Sequence, residues 1–500
     1  MSTLVHHFFN VKGCMTEKNT KDIGPSTNVH VAVVGCCHGE LDKIYAACSA
    51  HEASSDRTID FVICAGDFQA LRGVEDLRSM AVPEKYNTLG DFVNYYQGKK
   101  RAPYLTLFVG GNHECSDWLA EESYGGFLAP NIYYLGHSSV VIVDGCITVA
   151  GISGIFKSHD YRRPYPSRPF HMSESAKRSA YHVRRIEVEK LKAFVHILQR
   201  VNNRVNQRSV EPALQTEGVS REAADMKHIP SPVAFPRSID IFISHDWPAG
   251  ITKYGDEEQL LRYKPYFKED ICHGALGNPH TGQLLHEAMP QYWISAHLHC
   301  RFEAAVVHDG VGNSSNLTNI TTPPMTCQQT KFLALDKPAK GKGFIDFVDI
   351  PVVRVPVERA CDQGRIVHHP LWLEVLRETH NHLTDNDGKW SADSCRLVNC
   401  PVEGITLSKN LLVAQDTRHI LRHLGLTPTV LHSQSAATVS TTTLTCSGIG
   451  KACHQRAATN EVPALVGDVL QEGRTRTVGP GDVQATDIDM SWVEDVAGDT

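Results

Sequence analysis

No stretch of this chain stays apolar for the ~18 residues that a bilayer crossing needs, and its opening, MSTLVHHFFNVKGC, lacks the basic flank and long apolar core of a secretory signal. The two absences lead to the expectation of a soluble intracellular protein without membrane partners. An excess of positive charge is also missing. The formal net charge is −7 over 500 residues, which argues against a generally basic nucleic-acid binder, because counterion release requires clustered Lys and Arg against phosphates. Any such contact must be local. Regular cysteine spacing is the third absence: the 15 cysteines are scattered and often set in apolar runs, as Cys64 and Cys146 are. Reduced thiols are therefore expected rather than a disulfide framework. With 41% apolar and 21% charged residues, the composition suffices for one large globular domain plus a smaller region or tail.

What is present is a repeated pattern. From Val31 a β-branched run (VAVV) ends in GCCHG, and LDKIYAAC follows with helical spacing, giving strand, tight turn and helix. DFVICAGD ends in Gly66-Asp67, YLTLFVGGNHE contains Gly110-Gly111-Asn112-His113, and IDIFISHDWP and QYWISAHLH close on histidines. In layered α/β folds ligands gather where the carboxyl ends of strands converge, so five such termini predict one shared rim. The candidate ligands, in chain order, are Cys36, His38, Asp67, Asn112, His245, His297 and His299, with His113 beside them. Groups of this kind bind Zn²⁺, Fe²⁺ or Mn²⁺, and one Asp can bridge two ions. Two-metal hydrolysis needs ions roughly 3.5–4 Å apart. Each residue has a plainer alternative: Cys36 and Cys37 as buried thiols, His38 and Asp67 as turn residues, Asn112 as a left-handed loop position. His297 and His299 alternate along an extended chain and so face one side, although an exposed strand face also accounts for them. The coincidence of all five motifs at strand ends favours a joint site.

Residues 1–27 are polar and irregular and read as a flexible leader, before a domain spanning 28–355. Between residues 155 and 185, Lys157, Arg162, Arg163, Arg168, Lys177, Arg178, Arg184 and Arg185 stand against only Asp160 and Glu174. Phe156, Tyr161, Tyr165, Phe170 and Tyr181 interleave them. Rings that stack bases and cations that hold phosphates suit single-stranded RNA; the plain alternative is a solvated basic loop. Lys157, Tyr161, Arg162, Arg163, Arg168, Tyr181 and Arg184 are the predicted RNA contacts. Residues 201–237, polar and ending in prolines, are expected to form a flexible insertion. HPLWLEVLRETHNHL has helical periodicity and suggests a small appended helical region over 356–427, and 428–500 are a disordered tail by composition.

Taken in order, GD, GNHE, the histidine of SHDWP and a closing AHLH resemble the signature of calcineurin-like metallophosphoesterases, D-x-H, G-D, G-N-H-[DE], H and G-H-x-H, across about residues 30–350. Two positions depart from it: Cys36-Cys37-His38 stands where Asp-x-His is usual, and Ala296 where Gly is usual. GCCHGELDKIY, CAGDFQALR, DLRSMAVPEKY, GGFLAPNIYYLG, ISGIFKSHDYRR, SHDWP and KFLALDK together resemble the lariat debranching enzyme family, in which Cys replaces that first Asp.

The resemblance implies an α/β fold, a two-sheet β-sandwich flanked by helices (α/β/β/α). It implies one metal pocket of Cys36, His38, Asp67 and His299 and another of Asp67, Asn112, His245 and His297, with Asp67 as bridge. A thiolate biases the first pocket toward Fe²⁺ or Zn²⁺ over Mg²⁺, with Mn²⁺ a further candidate. The implied reaction is hydrolysis of the 2′-5′ phosphodiester at the branch of excised intron lariats by a hydroxide generated on the metals. His113 would be its general acid, a role worth ~10²–10⁴-fold, with the alternative that it only hydrogen-bonds Asp67 or Glu114. Residues 155–185 correspond to the family's lariat-recognition loop. Nuclear residence follows from the intron substrate, and other RNA-processing proteins are the expected partners of the C-terminal region. Protein Ser/Thr phosphatases carry G-D-x-V-D-R-G where residues 66–72 read GDFQALR, which sets that class aside. A phosphodiesterase without branch specificity is the remaining enzymatic alternative, and a non-catalytic RNA-binding scaffold the alternative from another class; the complete ligand set and His113 speak against the scaffold.

Overall fold

The computed structural model describes residues 27–210, 236–308, 329–352, 365–382, 390–399 and 416–426. Its described strands are β1 (Thr27–Val34), β2 (Phe61–Cys64), β3 (Thr106–Phe108), β4 (Gly126–Ala129), β5 (Ile132–Tyr134), β6 (Ser138–Val143), β7 (Ile147–Ile152), β8 (Ile241–Ser244), β9 (Tyr292–Ser295), β10 (Phe302–Val307), β11 (Gln329–Ala334), β12 (Ile345–Val352) and β13 (Ile366–His368). They form two sheets, in the orders β12-β1-β2-β3-β5-β4 and β10-β11-β9-β8-β7-β6-β13. The centre of each sheet is parallel: β1, β2, β3 and β5 in one, β11, β9, β8 and β7 in the other. Antiparallel strands close the edges.

Strands covered on both faces read as unbroken apolar runs rather than as alternations, and this is why VAVV and FVIC hold no charged residue. Val31, Val33 and Ile63 face Ile243 and Ile294 across the space between the sheets. Ala32, Val34 and Val62 turn the other way, onto Ile44 and Cys48 of the helix Leu41–Ser55. On the opposite outer face Ala150, Phe242 and Trp293 share a cluster with Phe194 and Ile197 of the helix Arg185–Val210 and with Trp372 of the helix Pro370–Thr379. Two sheets enclosed by two helical layers give the expected α/β/β/α sandwich. Among the described residues no helix is long and apolar enough to cross a membrane.

Two expectations change. The helix Arg185–Val210 takes up the first ten residues of the expected insertion 201–237, and the buried Asn202 donates a hydrogen bond to the Arg237 carbonyl at 2.8 Å; residues 211–235 lie outside the described set. The region over 356–427 is also more than an appendage. β13 pairs with β6, the helix after it buries Leu371, Trp372, Val375 and Leu376, and the helix Thr417–Leu424 buries Ile420, Leu421 and Leu424 in the same cluster. A three-residue strand carries too little periodicity to be read from sequence, so its pairing emerges only in the fold. The leader up to residue 26 and the tail over 428–500 lie outside the described residues.

Candidate metal centre

Cys36 and His38 follow β1, Asp67 follows β2, Asn112 and His113 follow β3, His245 follows β8, and His297 and His299 follow β9. Because these strands run parallel within their sheets, their carboxyl ends meet on one rim. The ligand atoms of Cys36, His38, Asp67 and His299 all lie within 4.8 Å of one another. His38 Nε2 is 3.0 Å from His299 Nε2 and 3.7 Å from Asp67 Oδ2. The other Asp67 oxygen, Oδ1, is 3.3 Å from His245 Nε2, which is 3.2 Å from Asn112 Oδ1. The His297 ring stands beside His245, with centroids 5.1 Å apart. One buried carboxylate thus turns one oxygen toward His38 and the other toward His245.

The backbone makes this convergence possible. His38, Asp67, His297 and His299 have φ of 45°, 46°, 65° and 46°, left-handed conformations that cost about 1–3 kcal/mol each and persist where the surroundings impose them. Amides of the first turn do so: Cys37 N–H donates to the Gly66 carbonyl at 3.1 Å, and His38 N–H to the Asp67 carbonyl at 2.7 Å. β9 ends at Ser295, so His297 and His299 do not share a face by strand alternation as their spacing suggested. A turn in left-handed backbone sets His299 against His38 and His297 beside His245.

Two glycines are structural members of the site. A Cβ on Gly66 would lie 2.1 Å from His245 Nδ1, and one on Gly111 would lie 2.1 Å from Asp67 Oδ1 and 2.7 Å from His245 Nε2. The G-D and G-G-N motifs carried that signal, but sequence reading assigned it to turns. His245 Nδ1–H donates to the Ala65 carbonyl at 2.7 Å, which fixes the tautomer and leaves Nε2 toward Asp67. The His297 amide donates to Cys36 Sγ at 3.1 Å. Glu114, absent from the predicted site, accepts from the amides of Phe68 at 2.7 Å, Gln69 at 3.0 Å and Gly111 at 3.1 Å, bolting the Asp67 turn to the Asn112 loop. Burial and the nearby Asp67 charge push its carboxyl up to about 8.

Burial lowers His38 to about 4 and holds His299 well below the ordinary imidazole value, so both rings are neutral near pH 7, the form that ligates a metal. Burial alone would raise the Asp67 carboxyl; the rings of His245, His113 and His38 and the His113 amide outweigh it and hold the group below the ordinary carboxylate range. Burial, then the Asp67 charge, pushes the Cys36 thiol up, and a cation is what converts such a thiol to thiolate. Neutral imidazoles, a shared anionic carboxylate, an amide oxygen and one thiol fit divalent cations. The His113 amide donates to Asp67 Oδ1 at 2.9 Å, while its ring lies edge-on to His38 with centroids 5.1 Å apart. The His113 backbone thus ties to Asp67, while its imidazole stands beside His38.

The basic segment is rearranged relative to expectation. Arg162 and Arg163 are exposed and Lys157 is half-buried. Arg168 pairs with Glu121 Oε1 at 2.5 Å. Tyr161, Tyr181 and Arg184 are 5%, 7% and 1% exposed, and the expectation that these three contact RNA is corrected. Tyr161 stacks on His280, with centroids 3.8 Å apart and planes at 5°. Arg184 donates to the carbonyls of His182 at 2.8 Å and Ser179 at 3.0 Å and lies over the Tyr165 ring. Rings with neighbours to pack against bury their apolar area, and a buried guanidinium must satisfy its donors internally. These residues shape the segment from inside. His159, Asp160 and His182 also cluster, with His182 Nδ1 2.7 Å from Asp160 Oδ2. Arg163 is 3.8 Å from Asp160 Oδ1 and the Arg184 charge acts on the same carboxylate. That cationic setting makes the trio an ion-paired clasp rather than a cation site.

The sandwich and its rim of donors define a calcineurin-like phosphoesterase, and the model of that family matches residues 29–301. A second family model, that of the lariat debranching enzyme C-terminal domain, matches residues 327–401. The chain is 40% identical over 373 residues to a lariat debranching enzyme of Drosophila pseudoobscura pseudoobscura, a match covering 71% of this chain and 60% of that protein. It is 39% identical over 364 residues to the one of Homo sapiens, covering 73% and 56%, and 38% identical over 348 residues to the one of Arabidopsis thaliana, covering 70% and 68%. The chain belongs to the lariat debranching enzyme family. It spans little more than half the length of most of these relatives, 60% of the fly protein and 56% of the human one.

Proposed function

We propose that the protein hydrolyses the 2′-5′ phosphodiester at the branch point of excised intron RNA lariats. The observation that carries this reading is the gathering of Cys36, His38, His299, His245 and Asn112 about the shared Asp67 carboxylate, with His297 beside His245 and the His113 ring beside His38. Divalent ions bound there, Fe²⁺ or Zn²⁺ as Cys36 favours or Mn²⁺, would supply charge neutralisation at the phosphate and an activated water. The chain's own contribution is to hold Asp67 anionic and shared, to keep His38 and His299 neutral, and to present the His113 imidazole. His113 gives a proton to the departing 2′-oxygen, which would otherwise leave as an alkoxide. The exposed Arg162 and Arg163 and the half-buried Lys157 attract the RNA.

A phosphodiesterase without branch specificity is the second reading, favoured by the burial of Tyr161, Tyr181 and Arg184, which removes three of the expected RNA contacts. Cleavage of a synthetic branched RNA beside its linear 3′-5′ counterpart separates the two. Selective cutting of the branch, reduced ~10²–10⁴-fold in kcat by His113→Ala with bound metal retained, is the expected result. Equal cutting of both substrates would keep the phosphoesterase and remove the lariat assignment. An intron substrate carries with it nuclear residence and RNA-processing partners, reached through residues 356–427; imaging of the tagged full chain outside the nucleus would sink that extension.

A further inference from the structure

With Tyr161, Tyr181 and Arg184 turned inward, RNA must be gripped elsewhere along this segment. A shallow groove, open to solvent, lies where the segment meets the C-terminal region. Arg162, Arg163 and Arg185 line it, with the buried Arg184 packed beneath them, and among the described residues no carboxylate does. Two carboxylates flank it from behind: Asp160 Oδ1 is 3.8 Å from Arg163, and Glu189 Oε1 is 3.5 Å from Arg185. Three guanidinium groups at its surface against two acids leave the groove cationic. Its far wall is His382 and Trp390, whose rings face one another at a centroid distance of 6.4 Å with planes at 27°. One of these residues precedes and the other follows residues 383–389, and both lie within the span matched by the C-terminal domain family model, 327–401.

The groove also neighbours a second pocket nearer the metal rim. Tyr165 lines the groove and at the same time lines this second pocket, whose wall includes Gly111 and Glu114, close to Asp67 in the structure. The groove and the loop that carries Asn112 and His113 thus lie on the two sides of Tyr165. Guanidinium groups on one side and rings on the other are the recognition chemistry of a nucleotide backbone.

We propose that this groove binds a phosphate of the RNA chain beyond the scissile bond, and that the C-terminal region supplies one of its walls through His382. The proposal rests on the reading that the substrate is RNA. It gives a role to the span 327–401, which holds none of the seven donors named above.

The test uses the full chain carrying His113→Ala, so that RNA is bound without turnover, and branched RNAs whose arms are one nucleotide or about ten nucleotides long. Arg162→Ala with Arg163→Ala should weaken binding of the long-armed RNA by about tenfold or more. It should also flatten the slope of log K against log salt by about 0.7 for each phosphate that no longer meets a guanidinium. The loss on the one-nucleotide arms should be far smaller. His382→Ala should show the same dependence on arm length to a lesser degree, and Arg162→Lys with Arg163→Lys, which keeps the charge, should restore much of the affinity. Equal losses on both arm lengths, or an unchanged salt slope, overturn the proposal. So does displacement of the long-armed RNA by millimolar inorganic phosphate, which would make this a small-anion site. A native protein that binds RNA in this arm-dependent way but spares the branch would leave the groove standing and remove the debranching reading; branch cleavage without arm dependence would do the reverse.

Discussion

Gly111 sits against Asp67 so closely that a methyl group there would overlap both the carboxylate oxygen, at 2.1 Å, and the Asp67 amide, at 2.5 Å. Gly111→Ala should therefore displace the shared carboxylate while leaving the sheets intact. The expected outcome is a loss of at least about 10²-fold in turnover, the scale at which an ångström of misplacement is felt, together with lower bound metal and an unchanged far-ultraviolet circular dichroism spectrum. Full metal content in the variant would show that the loop relaxes. At this scale the seven donors and His113 were legible because each stands directly beside a glycine or a turn at a strand end. The left-handed backbone of His38, His297 and His299 was not, since nothing in a histidine's identity announces φ > 0. Glu114 was legible as part of its motif, but its three amide partners come from two separate loops, and only the fold brings those together.

The segment over 155–185 is an element whose charge was legible and whose inside was not. Its composition distinguishes cations from rings, but which rings turn inward depends on neighbours such as His280, more than a hundred residues away in the chain. Asp160 fastens this element. Burial would raise its carboxyl, but the hydrogen bond from His182 and the Arg184 charge hold it below the ordinary range, and burial holds His182 below its own. Both folded-state values are thus depressed. Each group contributes stability that is present above its unfolded value, ~6.5 for His and ~3.9 for Asp, and is lost as pH falls from there toward the folded value. Asp160→Asn should cost about 1.5–3 kcal/mol at neutral pH, as the loss of a charged hydrogen bond does. The gap between variant and native protein in urea unfolding should close as the pH drops below about 4. A gap independent of pH would mean that Asp160 acts by shape alone.

On the scale of the whole molecule, the C-terminal region is woven into the core. β13 extends one sheet, and Trp372, fully buried, packs in the cluster that covers that sheet's outer face. Trp372→Ala should destabilise the protein by about 3–5 kcal/mol, and a chain ended at residue 355 should lose its cooperative unfolding transition. A sharp transition in that shortened chain would restore the picture of an appended region. The five apolar strands indicated a layered α/β fold with one rim, and the resemblance to the metallophosphoesterase signature implied the sandwich, but neither showed this closure, because a strand as short as Ile366–His368 becomes recognisable only once β6 lies beside it. The same large-scale view changes the meaning of the rim. Cys36, His38, Asp67 and Asn112 hang from one sheet, and His245, His297 and His299 from the other. Ions held among them are stitches across the mouth of a two-leaved book, and the leaves have a reason to part when the thread is pulled. Chelation should lower the melting temperature, and metal at a hundred times its dissociation constant should return about 2.7 kcal/mol. Loss of metal would then cost the protein its cohesion as well as its chemistry.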